Sequence, residues 1–105
     1  MIKTIVRDRG TGKTTEIIIR MRENKNLITL VQSHMVKENL YPKDLQKRVF
    51  TIGDIMNDKS LLKGVKFEKI LIDEGFIFHP VTMAKLYYYL GNNNIAIDVY
   101  GSVSN

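Results

Sequence analysis

The sequence predicts an α/β domain of three layers, with helices on both sides of a mostly parallel sheet of about five strands. Short β-rich runs alternate with helical patterns along the chain. The inner runs are apolar on consecutive residues, as expected of strands covered on both faces. A Gly-rich turn joins the first run to the first helix, an arrangement typical of this layered class.

The first strand is expected over Ile2 to Val6. A helix follows from about Lys13 to Glu23, carrying Ile17, Ile18 and Met21 inward at helical spacing. Leu27 to Val31 is a near-continuous apolar run and reads as a buried strand. Ser33 can cap a short helix carrying Met35, Val36 and Leu40, which must stop before Pro42. Arg48 to Ile52 reads as another strand, after which Asp54 can cap a helical turn with Ile55 and Met56. Lys69 to Asp73 is the most strand-like segment of all. Pro80 suits the first turn of a helix with Met83, Leu86, Tyr87 and Leu90 on its apolar face, ended by Gly91. Ile95 to Tyr100 is the last strand.

With 105 residues and 44% hydrophobic content, the chain has material for one domain, taken as 1–105, and no more. The absence of cysteine excludes a disulfide framework and any thiolate metal site, and fits a reducing compartment. The longest apolar runs, such as Ile17-Ile18-Ile19, fall far short of the roughly 20 residues that span a bilayer. No secretory signal precedes the first strand, so the expectation is a cytoplasmic protein without a membrane partner. Sixteen Lys and Arg against eleven Asp and Glu give a net charge of +5. That balance suits a polyanionic partner, and equally a solvated basic surface.

The chemistry concentrates at Arg9-Gly10-Thr11-Gly12-Lys13-Thr14-Thr15. A strand, a Gly-rich turn and a helix aim backbone N–H groups and the positive helix end at one point, where an anion binds. Gly10 and Gly12 permit positive φ and close phosphate approach. Lys13 can reach the β- and γ-phosphates, and the Thr14 hydroxyl can ligate Mg²⁺. The full phosphate-loop pattern has a further Gly where this chain has Arg7. The bland alternative is a turn that uses Gly for geometry alone.

A second element bears on that choice. Ile70-Leu71-Ile72 is an apolar strand that ends in the acid pair Asp73-Glu74. At the C-terminal edge of a parallel sheet, Asp73 would face the Mg²⁺ beside Thr14. Glu74 would polarise the water attacking the γ-phosphate, which makes Glu74 and Lys13 the catalytic candidates. The expected cofactors are therefore ATP and Mg²⁺. A third element is the tail after Tyr100, where Ser102 and Asn105 are candidate γ-phosphate sensors, or part of a frayed end.

On these residues the chain resembles the first motor domain, RecA-like and of the P-loop NTPase type, of superfamily 1 helicases. It is closest to the replicative RNA helicases of tobamovirus-like and alphavirus-like viruses. Gly10-Thr11-Gly12-Lys13-Thr14-Thr15 looks like their motif I, Val31-Gln32-Ser33-His34 sits where motif Ia follows the second strand, and Ile72 to His79 is similar to motif II and its extension. Phe50 to Asp54 looks like the Thr-containing segment before motif II. The resemblance implies a viral or phage protein of the host cytoplasm, with Gln32, Ser33 and His34 facing single-stranded nucleic acid. For His34 a surface or capping role is the plain alternative. At the position of motif III, Gly101-Ser102-Val103-Ser104-Asn105 departs from the family's Gly-Asp-x-x-Gln. The family's second motor domain, which carries its arginine finger, has no counterpart in these residues. Unwinding by these residues alone is therefore not expected. Without the later strand that flanks it in this group, the first strand is expected to be a sheet edge open to a second copy or a partner protein. Such a partner could supply an arginine in trans.

Other readings of the same motifs stay open. Gly12 to Ile18 and Ile72 to Phe78 also look like thymidine kinases, although the zinc-braced nucleoside-binding segment of those enzymes is missing. Arg9 ahead of Gly10-x-Gly-Lys-Thr is similar to the phosphate loop of DNA-packaging ATPases. A module that holds nucleotide without turning it over, and regulates a partner, is a third possibility.

Overall fold

A computed structural model of the chain describes residues 2–8, 12–58, 62, 66–73, 84–88 and 95–103. In chain order these form β1 (Ile2–Asp8), α1 (Lys13–Glu23), β2 (Leu27–Val31), α2 (His34–Leu40), a 3₁₀ turn (Gln46–Arg48), β3 (Val49–Thr51), α3 (Ile52–Asn57), β4 (Lys69–Ile72) and β5 (Ala96–Val103). Residues 84–88 are also helical. The five strands make one sheet in the order β1-β5-β4-β2-β3, and every pairing is parallel. The α/β class, the parallel sheet and the strand number are as expected from the sequence.

Two apolar layers flank the sheet, because β2 and β4 are buried on both faces. On one side Ile17 and Met21 of α1 pack with Leu27, Val31, Leu71, Tyr100 and Tyr41. On the other, Ile52 and Ile55 of α3 and Leu86 pack with Ile28, Leu30, Ile70, Ile72, Ile97 and Val99. The i, i+4 spacing of Ile17 and Met21 puts them on one face of α1, while Ile19 points to solvent. Glu16 in the first turn and Arg20 and Arg22 in the last complement the helix dipole. Arg48 closes the far end of that helix. Its guanidinium donates to the carbonyls of Met21 in the last turn of α1 (2.8 Å), of the C-cap Asn24 (3.2 Å) and of Leu27 at the start of β2 (3.0 Å), tying the helix end to the strand that follows.

Several boundaries differ from the sequence expectation. Arg48 belongs to the 3₁₀ turn and Ile52 begins α3, so the strand expected over Arg48 to Ile52 shrinks to β3. Thr51, not Asp54, caps α3: its Oγ1 accepts from the Asp54 N–H at 3.0 Å. Both β1 and β5 run beyond the expected ends, since their parallel register continues from Ile2↔Ile97 to Asp8↔Val103. The Ser33 cap on α2 is as expected, with its Oγ accepting from the Val36 N–H at 3.3 Å. In that helix Met35 and Leu40 are exposed and only Val36 packs on the core. Of the helix expected after Pro80, Leu86 is buried and Tyr87 half-buried; Pro80, Met83, Leu90 and Gly91 lie outside the described residues.

Asp98 lies under α1 on β5, 4% exposed. It is held by Arg20 at 2.9 Å and Lys69 at 3.4 Å, and Arg20 also donates to the Tyr100 hydroxyl at 2.9 Å. A buried carboxylate demands such partners. Beside it, a cleft of about 430 Å³ opens between β1 and α1. Among the described strands β1 has a neighbour on one side only, which is the edge position expected for it. No helix among the described residues is long and apolar enough to cross a membrane.

Candidate functional site

The candidate site forms where α1 begins and β4 ends. Gly12 precedes α1 with φ 77° and ψ 39°, in the left-handed region that glycine enters without strain. Among the described residues a Cβ there would meet Thr15 at 3.8 Å, an ordinary contact, whereas the backbone angle itself favours glycine. Gly12 is the N-cap of an 11-residue helix and supplies no side-chain cap, and a helix start of that kind suits an anion. Lys13 follows with only 7% of its surface exposed, although a lysine ordinarily lies in solvent.

Strand order explains what the helix start meets. β5 lies between β1 and β4, and α1 crosses over β5 to pack on β4 and β2. Its first turn therefore arrives above the end of β4, where Asp73 follows Ile72. Asp73 extends the ladder by one bond, its N–H donating to Leu30 O at 3.0 Å, and is 4% exposed. The Thr14 hydroxyl donates to Asp73 Oδ2 at 2.9 Å. Two residues 59 apart in sequence, picked out for the same Mg²⁺, are thus in direct contact.

A third residue joins them. The Tyr41 hydroxyl donates to the same Oδ2 at 2.7 Å from the residue that ends α2. Burial pushes the Tyr41 phenol well above its ordinary pKa, and the Asp73 charge and hydrogen bond push it further, so the phenol remains a donor at any working pH. Sequence reasoning missed Tyr41. The only signal was a large aromatic beside Pro42, at the end of a short helix.

The donor set suits Mg²⁺. Asp73 Oδ1 is buried with no hydrogen-bond partner among the described residues, an arrangement costly for a carboxylate unless something else approaches it. One carboxylate and one hydroxyl are what the protein contributes to many Mg²⁺ sites, with phosphate and water oxygens completing the octahedron. No cluster of three His, Cys, Asp or Glu able to cage a metal occurs among the described residues.

The remaining sequence candidates distribute as follows. Arg9, Gly10, Thr11, Glu74 and Asn105 lie outside the described residues, as does His79. Thr15 is exposed on the first turn of α1. Gln32 and His34 are exposed beyond the end of β2, whereas the Ser33 hydroxyl is engaged as the cap of α2. His34 Nε2 lies 3.2 Å from Asp54 at the start of α3, which ties the two helix starts together. Ser102 sits in β5 opposite Arg7 of β1, beside the strand that leads into the Gly-rich turn.

No protein-family model, curated protein or solved structure matches the chain.

Proposed function

We propose that this chain is a P-loop NTPase domain of the RecA-like type that binds ATP with Mg²⁺ and hydrolyses it, as a helicase-type domain acting on or with nucleic acid. The observation that carries the proposal is the 2.9 Å bond from Thr14 to Asp73 beneath the left-handed Gly12. A strand-to-helix turn that used glycine for geometry alone would give no reason for a hydroxyl in the first turn to meet a buried carboxylate on a distant strand.

In this reading Lys13, Thr14 and Thr15, with the preceding Arg9 to Gly12, hold the phosphates. Thr14 and Asp73 hold Mg²⁺, which when bound screens the phosphate charge. Glu74, the next residue, orients the attacking water. Gln32 and His34 are surface groups for single-stranded nucleic acid at the same end of the sheet. The edge of β1, which has no second neighbour among the described strands, offers a place for a second copy or a partner protein, from which an arginine could reach the nucleotide.

The test is equilibrium binding of a fluorescent ATP analogue, together with phosphate release with and without single-stranded RNA or DNA. Lys13→Ala is expected to weaken binding by about tenfold or more, as loss of a charged hydrogen bond to phosphate does. Nucleic acid is expected to stimulate turnover. If Lys13→Ala binds as tightly as the parent, the proposal fails. Phosphate transfer to thymidine would favour a nucleoside kinase, and binding without turnover, unchanged by Glu74→Gln, a regulatory module.

A further inference from the structure

We infer that Tyr41 is the positioning residue of the metal-binding carboxylate, fixing Asp73 so that a single oxygen is left to receive the cation. The inference rests on the ATP–Mg²⁺ reading above and names a residue which that reading does not require.

Asp73 Oδ2 accepts two hydroxyl hydrogen bonds, from Thr14 at 2.9 Å and from Tyr41 at 2.7 Å. Oδ1 accepts none among the described residues. The carboxylate is therefore held by one oxygen and open at the other. The two donors differ in kind. Thr14 lies in the turn that would close on phosphate, and its hydroxyl oxygen is itself a candidate ligand. Tyr41 belongs to no phosphate-binding segment. Its ring is buried among Ile17, Leu45 and Val49, and its backbone carbonyl accepts from Gln46 Nε2 at 2.9 Å. A buried side chain on a tied backbone has little freedom to follow the carboxylate, so the carboxylate follows it. Groups that orient a metal ligand in this way typically change metal affinity by about 10- to 100-fold when removed.

Tyr41→Phe deletes the hydroxyl and keeps the ring in its pocket. The measurement is the affinity of a fluorescent ATP analogue in EDTA and across a Mg²⁺ titration, for wild type, Tyr41→Phe, Asp73→Asn and the double variant. The expected result is unchanged affinity in EDTA and a Mg²⁺ half-saturation raised by about tenfold in Tyr41→Phe. The double variant should respond to Mg²⁺ no differently from Asp73→Asn alone. A Mg²⁺ response identical to wild type would overturn the inference. So would an equal loss in EDTA and in Mg²⁺, which is what a purely structural tyrosine gives. If Tyr41→Phe folds poorly, Tyr41→His restores a ring N–H donor, and a Mg²⁺ response as weak as that of Asp73→Asn would overturn the inference. Failure of the underlying reading looks different: Asp73→Asn then matches wild type at every Mg²⁺ concentration, and Lys13→Ala binds as the parent does.

Discussion

Asp73 and Tyr41 share one hydrogen bond but left unequal marks in the sequence. Asp73 closes an apolar strand, and Lys13 and Thr14 follow a glycine, so all three stand in local patterns whose chemistry can be reasoned out. Tyr41 matters through a contact with a residue 32 positions away, which no local pattern encodes. Its burial also has a pH signature. The folded phenol ionises above the ordinary value of 10.0, and the unfolded chain ionises near that value. Stability tied to the neutral phenol is therefore complete below about pH 10 and is lost as the pH climbs beyond it. Unfolding free energy measured from pH 8 to 11 is expected to turn down more steeply in wild type than in Tyr41→Phe. Equal slopes would mean that the phenol is not buried against a charge.

Among the elements, those with a strong period were the most legible. α1 and β2 have the bounds expected of them, because i, i+4 spacing and a near-continuous apolar run each leave one reading. Boundaries between a strand and a helix were less so. At Thr51-Ile52-Gly53-Asp54 both Thr and Asp are good caps, and the choice falls to whichever residue still has extended backbone. Thr51 does, with φ −87° and ψ 154°, and Asp54 then occupies the first turn. Thr51→Ala is accordingly expected to cost about 1 kcal/mol of stability, and Asp54→Ala only a few tenths, about 0.3 kcal/mol. Denaturant midpoints of the two variants check the order; the reverse order would restore Asp54 as the cap. The extra length of β1 and β5 was hidden for another reason. Each is extended by the other, and Arg7, Asp8 and Ser102 do not look like strand residues when read alone.

For the molecule as a whole, the parallel sheet was foreseen but its strand order was not, since alternation of strands and helices fixes composition and not sequence in space. That order has a kinetic side. β2, β3 and β4 pair across modest stretches of chain, whereas β1, among the described strands, pairs with β5 alone, joining Ile2 to Ile97. The entropy of loop closure is largest for that last ladder, so it should form after the others, downhill of the folding barrier. Ile5→Ala, in β1, is expected to raise the unfolding rate while leaving refolding within about twofold, as a chevron plot would reveal. An equal slowing of refolding would put β1 in the nucleus instead. The strand that leads into Gly12 would then be the last to dock, and on a ribosome it would wait, already made, for its partner to emerge. Thr14 meets Asp73 through the packing of α1 on β2 and β4, so that contact can be in place before the strand ahead of it is fixed. Gly12 would then gain its lead-in last, and any affinity for nucleotide would be complete only when β1 and β5 have met.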